Sequence, residues 1–188
     1  GKQLKNSILQ WAIQGKLVPQ DPNDEPASVL LERIRAEKAR LVKEKKIKKD
    51  KNESIIYRGE DNSYYEKFLA TGEVKCIDEE IPFEIPQGWE WSRMGSIGDW
   101  GAGATPAKGN TSYYGGNILW LRTGELNNSI VNDTEIKITD KALKECSLRL
   151  NKAGDVLIAM YGATIGKVAI AGCELTTNQA CCACTPIE

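Results

Sequence analysis

The N-terminal residues carry apolar side chains at helical spacing. The positions that recur at i, i+4, i+7 and i+8 are Leu4, Ile8, Trp11 and Ala12. This spacing predicts one face of a helix over residues 4–14, and Gly15 is the residue type that most often ends a helix. Residues 17–26 contain three prolines and therefore predict a turn-rich connector.

A second helix is predicted from residue 27 to about residue 49, with Asp24 as its N-cap. Its length would be about 35 Å at about 1.5 Å per residue. The narrow apolar stripe resembles a coiled-coil seam, which favours packing against another long helix. Periodicity alone leaves a second possibility, a solvated, charged helix folded against its own domain. The candidate partner-binding residues on the stripe are Leu30, Leu31, Ile34 and Leu41.

The rest of the chain has a β pattern. A strand at residues 55–58, a turn at 59–62, a strand at 64–69 and one more short strand at 74–77 are predicted. Later strands are predicted at 118–121, 130–138, 156–160, 168–171 and 181–184. Thr139 or Asp140 is expected to cap a short helix. The expected fold class is α+β: an N-terminal helical hairpin or long coiled-coil-like helix followed by a mainly β domain. The expected divisions are a helical spacer or docking region (1–50), a β-hairpin-like linker (51–80) and the β domain (81–188).

Residues 98–126 contain glycines that are too closely spaced for a regular helix or strand. Glycine permits positive φ and lets another backbone or a ligand come close. The pattern favours a surface loop that binds a partner by shape, and an ordinary long β-connection is the alternative. Two more turns, at residues 161–167 and 176–180, are expected on the same side of the domain.

Charge is divided unevenly along the chain. Residues 33–51 hold ten Lys or Arg against three Asp or Glu, a net charge of +7, whereas residues 81–188 hold nine against eleven, a net charge of −2. Nucleic-acid binding by the β domain would therefore depend on local patches. The lysine-rich end of the second helix is expected to be a solvated face or a phosphate contact.

Several kinds of chemistry are disfavoured. The sequence has no histidine, and its six cysteines lack the spacing of a zinc site, so we expect structural thiols in a reducing compartment. Residues 162–167 are one residue short of a phosphate-binding loop, and Val168 replaces its magnesium ligand. No stretch has the length and hydropathy of a membrane span or a secretory signal, so a cytoplasmic location is expected.

Three stretches together resemble one family. They are LKNSILQWAIQGKLVPQDPNDEPASVLLERI at residues 4–34, IPQGWEWSRMGSIGDWGAGATPAKGNTSYYGGNILWLRTGEL at residues 85–126, and GDVLIAMYGATIGKVAI with TTNQA within residues 154–180. In this order they resemble the specificity (S) subunit of type I restriction-modification systems. The first is similar to the family's helical region and the others to the start and middle of a target recognition domain, which this chain is expected not to complete.

The resemblance implies a sequence-specific DNA-recognition protein without catalysis, cofactor or metal of its own. Such a subunit reads one half of a bipartite site in double-stranded DNA with each recognition domain. Its helices dock methyltransferase (M) subunits, and restriction (R) subunits join through the complex. A helix of about 35 Å would cover on the order of ten base-pair steps.

Candidate DNA-binding residues follow from the types of side chain that contact bases and phosphates. They are Thr105, Lys108, Tyr113, Tyr114, Arg122, Thr123, Tyr161, Thr164, Lys167, Asn178 and Gln179. For Asn178 and Gln179 the alternative is a pair of buried amides bonded to loop backbone, and for Arg122 it is a surface ion pair. A second hypothesis makes the chain a protein-interaction module that acts through its long helix, with the β domain as scaffold and no direct DNA contact.

Overall fold

The computed structural model describes residues 1–187, and the chain divides into two compact units, Gly1–Ile97 and Gly98–Glu188. The N-terminal unit contains two helices and one sheet. The C-terminal unit contains two sheets and one short helix. This arrangement confirms the expected α+β class with a mainly β C-terminal part. Within residues 1–187, no helix combines the length and the apolar character needed to cross a membrane.

Helix α1 spans Lys2–Ile13 and ends as the sequence predicts. Gly15 has φ +66°, and the amide of Lys16 donates to the carbonyl of Trp11 at 2.8 Å. This is the Schellman arrangement, in which a left-handed residue lets the chain turn back and satisfy a helix carbonyl. No residue of α1 is buried within the described structure.

Helix α2 spans Ala27–Lys43 and is shorter than expected. The expected end near residue 49 is wrong because Lys45 adopts φ +58°, and the amide of Lys46 donates to the carbonyl of Leu41 at 2.9 Å. The same Schellman turn therefore ends both helices, here with a lysine in the glycine position. The 17 residues reach about 26 Å, and a long coiled coil is not confirmed.

The start and buried side of α2 also differ from expectation. Asp24 is not the N-cap; Pro26 holds that position, and the first helical amide, that of Ala27, donates to the carbonyl of Gly88 at 2.8 Å. Ile34, expected on the docking stripe, is only 6% exposed, so its side chain is not accessible to a partner. Lys38 is buried beside it and donates from Nζ to the carbonyl of Gly95 at 3.0 Å.

The N-terminal unit also holds the predicted three-stranded sheet. Its strands are β1 (Ser54–Arg58), β2 (Tyr64–Phe68) and β3 (Val74–Cys76), in the order β1-β2-β3 with antiparallel pairing throughout. Gly59 and Asn62 lie in the turn between β1 and β2, where Asn62 has φ +67°. Glu66 of β2 is buried in spite of its charge.

The C-terminal unit contains eight strands and helix α3. They are β4 (Gly98–Ala102), β5 (Tyr114–Leu121), β6 (Ile130–Val131), β7 (Ile136–Ile138), α3 (Asp140–Glu145), β8 (Val156–Ala159), β9 (Val168–Ala171), β10 (Thr176–Thr177) and β11 (Cys181–Pro186). One sheet has the order β4-β11-β8-β9-β6, and the other has the order β10-β5-β7. Thr139 caps α3 by accepting a hydrogen bond from the amide of Ala142, as expected.

Two expectations for this unit are wrong. The glycine-rich stretch begins with a strand, β4, because it pairs with β11 and because Gly98 leaves room for Cys184; a Cβ at Gly98 would lie 2.2 Å from that sulfur. Residues 130–138 form two short strands in different sheets. Thr134 lies between them, accepting from the amide of Trp120 at 3.2 Å and donating to the carbonyl of Ile136 at 2.7 Å.

The core lies between the two sheets of the C-terminal unit. Alternate residues of β8, β9 and β11 are buried with side chains from the connecting segments, and they include Leu157, Ala159, Ala169, Ala171, Cys181, Ala183, Leu121, Leu126 and Leu175. The strand predicted from the cysteines is confirmed as β11. Burial raises the pKa of the Cys181 thiol to about 11, so this cysteine is a protonated core side chain.

Candidate functional site

Three loops leave the same end of the five-stranded sheet. We call them loop A (residues 103–113), loop B (residues 160–167) and loop C (residues 178–180). Ala102 pairs with Cys182, Cys181 pairs with Ala159, and Ile158 pairs with Val168. Since each of these pairs lies next to a loop, the strand register brings the three loops to one edge of the sheet. The expected placement of the three turns on one side is confirmed.

Loop A is joined through its backbone to the two strand residues that flank loop C. The amide of Gly103 donates to the carbonyl of Cys181, and the amide of Ala104 donates to the carbonyl of Thr177, both at 3.0 Å. A Cβ on residue 103 would lie 2.1 Å from that Thr177 oxygen. Only glycine permits this approach, so the expected role of glycine in close backbone contact applies to Gly103.

A hydrogen bond between side chains also connects loop A to loop C. The hydroxyl of Thr105 donates to Oε1 of Gln179. Loop C is fixed in turn, because the amide of Asn178 donates to the carbonyl of Leu121 at 2.9 Å and the amide of Cys181 donates to the carbonyl of Asn178 at 3.1 Å. Gln179 is exposed rather than buried, which differs from the alternative of two buried amides.

A cavity of about 500 Å³ opens beside these two loops. Its lining residues are Thr105, Lys108, Tyr114, Trp120, Arg122, Ile136, Asn178 and Gln179. Six of the eleven candidate DNA-binding residues therefore lie around one cavity. Trp120 and Ile136 were not among the candidates, although the apolar run of β5 was a sequence feature that pointed to Trp120.

The aromatic wall of the cavity is fixed by hydrogen bonds to loop A. The indole nitrogen of Trp120 donates to the carbonyl of Ala104 at 3.0 Å, and the hydroxyl of Tyr114 donates to the carbonyl of Pro106 at 2.6 Å. The two rings meet edge to face at 6.3 Å. Burial raises the pKa of Tyr114, so it stays a neutral donor.

The two cations of the cavity have different surroundings. The guanidinium of Arg122 pairs with Glu135 and lies 3.5 Å from Oε1 of Glu125, which matches the ion-pair alternative. Lys108 is exposed and forms no ion pair with residues 1–187. Lys108 therefore offers a positive charge that is not already compensated.

Two candidates near the two ends of β5 are held differently. Tyr113 donates its hydroxyl to Glu145 at 2.9 Å, and this bond raises the pKa of Tyr113. Thr123 is 9% exposed at the start of a 3₁₀ turn. Its side chain is therefore held within the domain, and its contact with DNA stays a prediction.

Loop B lies apart from the cavity lining. Tyr161 is 50% exposed, Lys167 is exposed and Thr164 is half-buried. The loop closes on itself, with the amide of Lys167 donating to the carbonyl of Thr164 at 3.0 Å. One backbone bond, from Met160 to the carbonyl of Ala180 at 2.9 Å, connects it to loop C.

In the described part of the chain, no group of three or more Cys, Asp or Glu side chains is arranged to hold a metal ion. The site therefore consists of amides, hydroxyls, cations and aromatic rings. These are the groups that form hydrogen bonds and stacking contacts with polar ligands.

Comparison with known families identifies the C-terminal part. Residues 86–188 match the family described as the type I restriction modification DNA specificity domain. The chain belongs to this family. The match begins before β4 and includes all three loops of the site.

Similar proteins of known type are specificity subunits. That of the type I restriction enzyme EcoAI of Escherichia coli is 55% identical over 94 residues, which are 50% of this chain and 13% of that protein. That of EcoEI, also of Escherichia coli, is 48% identical over 105 residues, or 55% of this chain and 14% of that protein. That of MjaIX of Methanocaldococcus jannaschii is 40% identical over 99 residues, or 51% and 23%. The matched part is thus less than a quarter of each relative.

One solved structure also resembles the chain. It comes from work on complex assembly and conformational transition in the type I restriction-modification system, and it superposes with a TM-score of 0.46 at 19% identity over 57% of this chain and 26% of that chain.

Proposed function

We propose that this chain is a sequence-specific DNA-recognition module of a type I restriction-modification complex and reads one half of a bipartite site. The observation that carries the proposal is the meeting of loops A, B and C at one end of the sheet, within a domain of the DNA specificity family. Binding residues commonly lie on loops that a rigid sheet holds in place, because the loop sequence can vary while the sheet stays the same.

Positioning on DNA would come from the two exposed lysines of the site. Lys108 in loop A and Lys167 in loop B are the cations at this end of the sheet that are not paired with a carboxylate among residues 1–187. Phosphate contacts of this kind set the register of a protein on the duplex. Since residues 81–188 carry a net charge of −2, binding would depend on these local contacts.

Discrimination between bases would come from the polar groups around the cavity. Amide side chains are among the groups that bind base edges by hydrogen bonds, and the candidates Asn178 and Gln179 are the amides of this cavity. Tyr114 and Tyr161 present rings and hydroxyls near the loops. Arg122 would have to exchange its present carboxylate partners for a base.

Docking of M subunits would use the helices of the N-terminal unit, and R subunits would join through the same complex. Leu30 is 38% exposed and remains available, together with the half-buried Leu31 and Leu41. Helix α1 adds exposed apolar side chains, including Leu4 at 66% and Trp11 at 57%. These exposed helix residues also favour the second candidate function, a protein-interaction module without DNA contact.

Salt dependence and substitution separate the two functions. In a complete assembly, Lys167→Ala should weaken DNA binding and lower the magnitude of the salt slope by about one, without loss of subunit assembly. The matched control is Lys152→Ala, because Lys152 is an exposed lysine at the opposite end of the sheet. Its position follows from its neighbour Gly154, whose amide donates a hydrogen bond to the carbonyl of Ala171 at the end of β9. Equal DNA affinity in both variants would contradict the role of Lys167.

The reverse test uses Leu30→Asp. It places a charge on the exposed part of α2, so we expect loss of the complex in gel filtration and unchanged DNA contacts by the β domain. Complete assembly with this variant would contradict docking through α2. DNA binding that shows no salt dependence would favour the protein-interaction function instead.

A further inference from the structure

We propose that Gln179 reads a guanine and that Thr105 sets this preference by fixing the orientation of the Gln179 amide. This inference rests on the proposed function. A glutamine that is free to turn binds adenine through two bonds, donating to N7 and accepting from the N6 amino group. The structure restricts this choice.

The restriction is the hydrogen bond between loops A and C. The hydroxyl of Thr105 has one proton, and it donates that proton to Oε1 of Gln179. The amide oxygen therefore faces Thr105, and the NH₂ group, which lies in the same plane, points to the other side of the Cγ–Cδ bond. Gln179 consequently presents two donors to a ligand, and its acceptor is turned away.

The backbones around this pair are fixed. Gly103 and Ala104 of loop A are bonded to Cys181 and Thr177, the residues on either side of loop C, and Asn178 is bonded to the strand residue Leu121. The backbone segments that carry Thr105 and Gln179 are therefore held next to each other by main-chain hydrogen bonds. A side chain that is held in its bound orientation loses little conformational entropy on binding.

The rest of the cavity is also rich in donors. Lys108 and Arg122 line it together with Gln179, and both side chains can only donate. In the major groove, guanine presents the two acceptors O6 and N7, whereas adenine presents one acceptor and one donor. The donors of Lys108, Arg122 and Gln179 therefore fit guanine and offer no partner to the N6 group of adenine. The other amide oxygen of the lining, Oδ1 of Asn178, is buried.

The test measures base preference at each position of a randomised duplex library bound by the complete assembly that contains this chain. We expect the unsubstituted protein to enrich guanine at one position. Gln179→Glu replaces the donor amide with an acceptor of the same shape, so that position should change to cytosine or adenine, both of which present an amino group. The preferences at the other positions should stay the same.

Thr105→Val tests the orienting role. It keeps the shape of the side chain and removes the hydroxyl, so Gln179 can turn and accept adenine. We expect the discrimination of guanine against adenine at this position to fall by about tenfold or more. Thr105→Ser restores the hydroxyl and should restore the discrimination.

The outcomes are distinguishable. If the assembly with the unsubstituted chain enriches no sequence, the proposed function itself is overturned. Sequence-specific binding in which Gln179→Glu retains every original preference would overturn the role of Gln179 and leave the proposed function standing. Unchanged discrimination in Thr105→Val would overturn the orienting role. Circular dichroism of each variant confirms folding, which we expect because Thr105 and Gln179 are both exposed.

Discussion

Arg93 binds the carboxylate of Glu66 with two nitrogens, and its Nε lies 3.0 Å from Oε1. Glu66 is 4% exposed and also accepts a hydrogen bond from the hydroxyl of Ser54. The other partner of Arg93 is Glu80, at 2.7 Å. A buried carboxylate in β2 is thus fully bonded, which is the condition under which its burial is tolerated.

Glu66→Gln should therefore destabilise the N-terminal unit by roughly 1–3 kcal/mol at pH 7. The hydrogen bond from Arg93 holds the pKa of Glu66 below its usual value of 4.5. A lowered native pKa gives stability that is complete above the unfolded pKa and is lost as the pH falls through the native value. The difference between the two proteins in urea unfolding should accordingly shrink below pH 4.5. Glu80→Gln is the control, and an equal effect of both substitutions would contradict the importance of burial.

Lys45→Gly should stabilise the end of α2. Lysine pays a conformational cost at φ +58° that glycine avoids, and the greater freedom of glycine in the unfolded chain offsets part of the gain. We expect a net increase of about 0.5 kcal/mol in the free energy of unfolding. Lys46→Gly is the control, because Lys46 is not among the residues with positive φ. A higher denaturation midpoint for the control than for Lys45→Gly would contradict this explanation.

Gly103→Ala should separate loop A from loop C. The new methyl group would lie 2.1 Å from a backbone oxygen, so the loops must move apart, at a cost of about 1–3 kcal/mol. Because Thr105 moves with loop A, DNA affinity and base preference should both fall. Gly109→Ala in the same loop meets no atom within 4 Å and should leave both properties unchanged. Fluorescence anisotropy with a labelled duplex makes the comparison, and equal affinity of the two variants would show that the contact at Gly103 is unimportant.

Alkylation should distinguish the cysteines. Cys76 is exposed, whereas Cys181 is buried with a pKa raised to about 11. The thiolate is the reactive form, so at pH 8 Cys181 should react with iodoacetamide about 100-fold more slowly than Cys76, before any added protection by burial. A raised thiol pKa gives stability that is complete below the unfolded pKa and declines as the pH rises through the native value. Mass spectrometry of the labelled peptides measures the rates, urea should equalise them, and equal rates in the folded protein would contradict burial of Cys181.

Periodicity predicted the elements whose local pattern agrees with their packing. These include the three-stranded sheet, α1 with its Gly15 end, and the strands β8, β9 and β11. The end of α2 was not predictable in this way, because Lys45 carries no mark of a left-handed residue. Strand β4 was not predicted because Gly98 is typical of a loop. In the structure, Gly98 instead leaves room for the side chain of Cys184.

The candidate site was predictable as a group of loops and less so as individual contacts. The turn residues placed loops A, B and C, and the strand register brings them together. Burial of Thr123 and Ile34 depends on tertiary packing, which a list of polar or apolar residues does not contain. The bond from Thr105 to Gln179 joins residues 74 positions apart, so no local pattern indicates it.

The strand register has a consequence for how this protein can change over generations. All three loops leave one end of the five-stranded sheet, while the apolar core around Leu157 lies between the sheets. Substitutions in exposed loop residues such as Lys108 and Tyr161 alter the chemistry of the surface without removing core contacts. Under the proposed function, new target sequences are therefore accessible through small steps that keep the protein folded, provided that Gly103 is retained where it approaches Thr177.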